Sequence, residues 1–204
     1  MNRKQISPTP LNSTANALQS VDLNAGISYE GHGFLPFSEF PRLAEELMLE
    51  PADLKNKGIN WALETWTQVK EGVPDQHWLK VTLKGQLPVM CQRCVTVYEE
   101  PLDVEVEFLL LPTEEDVDAY PLDEDSLDVL AMDSQFNVLA LIEDEALLSL
   151  PLMPKHEEGK CANDDENTSK SQQNSLKSPN SDESGELDKK PNPFLALKNL
   201  KLNK

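Results

Sequence analysis

The chain has 204 residues, with 36 acidic against 18 basic side chains and a formal net charge of −18. That length fits one domain with tails, and that charge is opposite to the basic face a general nucleic-acid binder offers to phosphates. No stretch approaches the roughly 18 apolar residues of a membrane span. The start lacks the apolar run of a signal peptide, and three cysteines, an odd number, fit a reducing compartment, so a cytoplasmic, non-membrane protein is expected.

Residues 1–20 are polar and carry Pro8 and Pro10, which predicts a flexible N-terminal segment ahead of a domain over residues 21–162. Gly26 to Gly33 reads as extended or turn structure, with His32 between two glycines as a turn residue. The period then changes. Ser38 is a candidate cap, Pro41 suits a first turn, and Phe40, Leu43, Ala44 and Leu47 fall on one helical stripe that ends before Pro51.

Strands follow. Ile59, Trp61, Leu63, Thr65, Thr67 and Val69 alternate with Asn60, Ala62, Glu64, Trp66 and Gln68, a period-two pattern broken at Gly72 and Pro74. Leu79, Val81 and Leu83 alternate with Lys80, Thr82 and Lys84, and a bend is expected over Gly85 to Pro88. Leu102, Val104, Val106 and Phe108 alternate with Asp103, Glu105 and Glu107 on the return. Strands joined by short turns predict an α+β fold with an antiparallel sheet or a small, partly open β-barrel and flanking helices.

Between the second and third of these strands stands Cys91-Gln92-Arg93-Cys94. Two thiolates separated by two residues can both turn inward on a tight knuckle. About sixty residues later His156 and Cys161, five apart on a second loop, supply a further nitrogen and sulfur. Cys91, Cys94, His156 and Cys161 are therefore candidate ligands of a structural, tetrahedral Zn2+. The other reading is of reduced, buried cysteines with His156 on a surface loop, because strong zinc signatures carry a second complete cysteine pair.

From Glu114 to Asp133 there are nine acidic residues and no basic one, read as a solvated loop or as an acidic surface for a basic partner such as a ribosomal protein. Asp133 to Leu150 is helical at its centre, with Val138, Leu141, Ile142, Glu145 and Leu148 near one face and Glu143-Asp144-Glu145 as a solvated stripe. Pro151 and Pro154 end that helix. Residues 163–188, rich in Asn, Ser, Gln, Asp and Glu, cannot bury enough apolar surface to offset ordering and are expected to form a disordered acidic linker. Residues 189–204 are basic and apolar. Asn192 is a good N-cap, Pro193 suits the first turn, and Phe194, Leu197 and Leu200, with Lys198 and Lys201, make a short amphipathic C-terminal helix that docks on a partner or folds back.

Taken in order, the Cys91–Cys94 knuckle, Leu141-Ile142-Glu143-Asp144-Glu145, Leu150-Pro151-Leu152-Met153-Pro154-Lys155-His156, Cys161 and Lys190-Pro191-Asn192-Pro193-Phe194-Leu195-Ala196-Leu197 resemble the YceD family, the large ribosomal RNA subunit accumulation proteins. The resemblance runs from about residue 25 to the C-terminus. It implies a role in accumulation and processing of large-subunit (23S) ribosomal RNA and in assembly of the large subunit, and the leading reading beside it is a non-enzymatic factor. The implied partners are the RNA precursor or its ribosomal and processing proteins, and no catalytic residue is carried over. Direct RNA contact would fall to Lys80, Lys84, Arg93 and the C-terminal lysines, although Arg93 also reads as a structural donor beside the thiolates. The rival is an enzyme, either a thiol oxidoreductase using Cys91 and Cys94 or a metal-dependent hydrolase. The first wants its thiols at a helix N-terminus and the second an open metal position. The oligomeric state has no signature in the sequence.

Overall fold

The computed structural model describes residues 2–3, 7–24, 27–121, 127–157 and 159–161, all of which belong to one unit, Met1–Asp164. The linker expected over residues 163–188 and the docking peptide at 189–204, with Phe194, Leu197, Lys198, Leu200 and Lys201, lie outside the described residues.

In chain order the elements are β1 (Asn2–Arg3), β2 (Thr9–Pro10), α1 (Ala15–Leu18), β3 (Tyr29–Pro36), α2 (Pro41–Glu46), β4 (Gly58–Lys70), β5 (Val73–Met90), β6 (Val97–Leu111), α3 (Glu114–Asp118), β7 (Asp128–Ala131) and α4 (Val138–Leu148). The sheet runs β2-β3-β4-β5-β6-β7, and β1 adds two residues to β4 beyond the end of β3. Its centre, β3 through β6, is antiparallel, whereas β2 and β7 join the edges in parallel. The class is α+β as expected, but the sheet is mixed and open, not a barrel.

Period-two alternation places the core. On β4, Ile59, Trp61, Leu63, Thr65 and Thr67 are buried, and on β5 so are Leu79, Val81, Leu83, Leu87 and Val89. These side chains share one sheet face with Phe37, Phe40, Leu43, Val138 and Ile142, which come from α2, α4 and the turn before α2. Each fully buried side chain of this size contributes about 1.5–3 kcal/mol. The opposite face is polar and paired: Lys80 reaches Glu105 at 2.6 Å and Glu107 at 3.5 Å, and Lys84 reaches Asp103 at 3.5 Å. At its end Trp66 and Trp78, directly opposite in register, stack with centroids 6.1 Å apart, and Arg3 lies 4.2 Å over the Trp66 ring.

Several expectations are corrected. The first twenty residues are not a loose tail throughout, since Leu18 is fully buried and Val21 and Leu23 follow it into the core. His32 is in a strand, paired with Ala62, and not in a turn. Its flanking glycines serve close approach: a Cβ on Gly31 would stand 2.6 Å from that of Leu11, and one on Gly33 2.9 Å from that of Ser13. Ser38 does not cap α2, which starts at Pro41 after a short turn. No bend interrupts β5, whose pairing with β6 continues from Gly85 to Met90. The acidic stretch holds α3, capped by Thr113 with three acids in its first turn, and β7. On α4, Leu148 is exposed, and Glu143 is buried, not part of a solvated stripe.

Candidate metal centre

The long β5–β6 hairpin builds half of the site. β5 ends at Met90 and β6 begins at Val97, so Cys91-Gln92-Arg93-Cys94 occupies the strand-to-strand turn as the alternation predicts. The turn is closed by Val95 N–H donating to the Cys91 carbonyl (2.8 Å) and Cys91 N–H donating to the Thr96 carbonyl (2.9 Å). Closing so tightly puts Val95 in the left-handed region, at φ 57°, which is uncommon for a β-branched residue. Its side chain is 72% exposed, so packing does not hold it there.

The second half comes from the chain after α4. Pro151 and Pro154 stand in the segment that leaves the helix, and Gln92 N–H donates to the Pro154 carbonyl at 2.9 Å, docking it on the knuckle. A turn with Gly159 at φ 81° then brings Cys161 back beside His156. Cys91 Sγ and Cys161 Sγ are 3.6 Å apart, Cys94 Sγ and His156 Nδ1 3.4 Å, and Cys161 Sγ and His156 Nδ1 3.6 Å. All four donor atoms lie within 4.8 Å of one another. Metal–sulfur bonds of about 2.3 Å and a metal–nitrogen bond of about 2.0–2.1 Å in a tetrahedron give donor–donor edges of roughly 3.5–3.8 Å. The four residues singled out by spacing are thus brought together, and they can hold a metal ion.

The surroundings favour negative sulfur. Burial pushes the Cys91 thiol up, but the backbone N–H groups of His156, Cys94 and Arg93 and the His156 ring outweigh it and bring it down to about 5. The Thr96 hydroxyl, 3.0 Å from Cys94 Sγ, lowers the Cys94 thiol against its own burial. Burial raises Cys161, opposed by Arg93, whose Nε donates to its sulfur at 3.0 Å. His156 is raised chiefly by its contact with Cys91. Cys91 and Cys161 are buried, and Cys94 and His156 half-buried.

Sequence reasoning placed Arg93 beside the thiolates, and the structure does the same. It missed Thr96 and Tyr98. The Tyr98 ring lies 4.8 Å from that of His156, and its hydroxyl donates to Glu100 at 2.6 Å. The only hint was their place at the start of a return strand, where alternate residues face the knuckle. Lys80 and Lys84, the candidate phosphate contacts, are held by carboxylates on the far face of the sheet. No described helix is long and apolar enough to cross a membrane.

A family model described as "Large ribosomal RNA subunit accumulation protein YceD" matches residues 79–201. A protein of Haemophilus influenzae, described in the same words, is 30% identical over 125 residues, 59% of this chain and 66% of that one. The match therefore spans just under two thirds of that relative's length. No solved structure matches the chain.

Proposed function

The chain belongs to the YceD family, the large ribosomal RNA subunit accumulation proteins, and from that premise we propose that it supports accumulation of large-subunit ribosomal RNA as a non-enzymatic assembly or processing factor folded around one structural Zn2+. The observation that carries the reading is the family match over residues 79–201, which contains all four residues of the metal centre. Zinc is the ion favoured by three sulfurs, one imidazole and tetrahedral edges. Donor atoms this close enclose a single ion.

The same geometry argues against the enzymatic alternatives. With Cys91, Cys94, His156 and Cys161 all bound, no coordination position is left for a substrate or an activated water. The thiol pair lies between two strands and lacks the helix N-terminus that activates dithiol oxidoreductases. A role through protein contact fits the charge better than a direct grip on RNA. The chain carries −18 overall, and Lys80 and Lys84 each stand beside carboxylates of the neighbouring strand. The partner is then a basic ribosomal protein or a processing enzyme on the precursor, met by the acidic body and by the terminal segment with Phe194, Leu197, Lys198, Leu200 and Lys201.

Deleting the gene tests this. Mature large-subunit RNA should fall relative to small-subunit RNA, with a matching deficit of large subunits on a sucrose gradient. Unchanged ratios and normal gradients would overturn the assignment.

A further inference from the structure

The candidate metal centre has an electrostatic imbalance, and a charged side chain stands against it. Three thiolates and a neutral imidazole around a divalent cation leave one net negative charge. Two of the sulfurs, Cys91 at 0% exposure and Cys161 at 3%, are sealed from water. An uncompensated charge at that depth is strongly unfavourable. Arg93 sits between the two knuckle cysteines in sequence, and its side chain reaches beyond its own turn. It crosses to the sulfur contributed by the other half of the site, with Nε 3.0 Å from Cys161 Sγ across 68 residues of chain.

The choice of Cys161 has a physical sense. Cys91 already has backbone N–H groups aimed at it from its own turn and from His156, and Cys94 has the Thr96 hydroxyl. Cys161 follows a turn at Gly159 and comes after the last long element, α4. A charged donor at that sulfur draws electron density from it. That weakens its attack on electrophiles and holds its segment against the knuckle.

We propose that Arg93 is the positioning residue of the centre. Its guanidinium offsets the excess thiolate charge at Cys161, and so sets how long the metal is retained and how well Cys161 resists electrophiles. This rests on the zinc reading above, and the test separates the two. Full-length wild type, Arg93→Gln and Arg93→Lys are loaded with zinc, and metal content is measured first. Zinc release to excess chelator is then followed with a colorimetric indicator. Alkylation of each cysteine by N-ethylmaleimide is mapped by mass spectrometry in parallel.

All three proteins should bind one zinc per chain. Arg93→Gln should lose it about 10–100-fold faster, the usual range for removing a partner of a metal ligand. Alkylation should accelerate at Cys161 while Cys91 stays protected, and Arg93→Lys, which keeps the charge, should recover most of the retention. Wild type that takes up no zinc overturns the metal reading and this inference with it. Zinc-loaded wild type with unchanged release and unchanged Cys161 alkylation in Arg93→Gln overturns the role of Arg93 alone. Equal acceleration at all three cysteines, with no rescue by lysine, shows general loosening and likewise overturns it.

Discussion

Two buried sites in this molecule bring a negative group against an arginine, and they solve the problem differently. In the helix clamp, Glu143 of α4 is 6% exposed and caps the start of α2. Its Oε1 accepts from the N–H groups of Arg42 (2.7 Å) and Leu43 (3.1 Å), and its Oε2 accepts from Arg42 Nε (3.0 Å). Arg42 also reaches Asp144 at 2.7 Å. Every lone pair in use faces a donor of the protein itself. At the knuckle, three sulfurs and an imidazole crowd to 3.4–3.6 Å of one another, and Arg93 reaches one of the sulfurs, that of Cys161. The clamp is complete with side chains alone, whereas the knuckle gathers four donors that could hold a metal ion. The contrast teaches that burial of an anion is stable only when its counter-charge is part of the design, whether supplied by side chains or by an ion.

The largest effect should come from breaking the knuckle. Cys94→Ser, or stripping the metal with a chelator, removes a clamp between two parts of the chain, where structural zinc sites show apparent binding energies of ~10 kcal/mol or more. The melting temperature should fall markedly and the wild-type protein should carry about one zinc per chain. Metal-free wild type with unaltered melting in the mutant would make the two sites alike after all.

Next in size is the clamp. Glu143→Ala leaves two backbone N–H groups and Arg42 Nε without their acceptor while Asp144 still holds the other end of the guanidinium, and chemical denaturation should register a loss of about 1–3 kcal/mol. That loss should be independent of added zinc, whereas the knuckle mutant's should not.

The smallest effect concerns Glu145, two residues further along α4, which has acidic neighbours in place of an arginine. Burial first, then Asp128 and Asp144, raise its carboxyl above the ordinary value. The folded state therefore holds the proton more tightly than the unfolded chain. Any stability this carries is present below the unfolded pKa and is lost as pH rises through the folded one. Glu145→Gln should melt slightly higher than wild type at pH 7, with the gain disappearing near pH 4. A gain that persists in acid would assign the effect to something other than ionisation.

These sites also show what a sequence displays and what it hides. The strand β4 was legible because alternation over more than ten residues has no helical counterpart, and Cys91 and Cys94 were legible because their spacing is local. Glu143 was not, because its partner Arg42 is 101 positions away and a run of three acids reads as a wet surface. The face of α4 was misjudged for the same reason. Leu139 and Glu143 are buried beside Val138 and Ile142, so the helix is covered over a wider arc than a single stripe and Leu148 is left outside. The parallel edges at β2 and β7 rest on pairings of two and four residues, too short for any periodicity to announce.

The division of the ligands between a hairpin turn and a segment 62 residues later has a consequence for the order of events during synthesis. The first pair is assembled by contacts local to β5 and β6, so a nascent chain holds half a site early. The second pair exists only once α4 and the loop beyond it have been made. An ion captured by Cys91 and Cys94 alone has two protein ligands and exchanges freely, and closing the shell requires a long loop to be brought shut first. Under the zinc reading proposed above, tight metal retention is a late event, a signal that the sheet has been completed and α4 is in place.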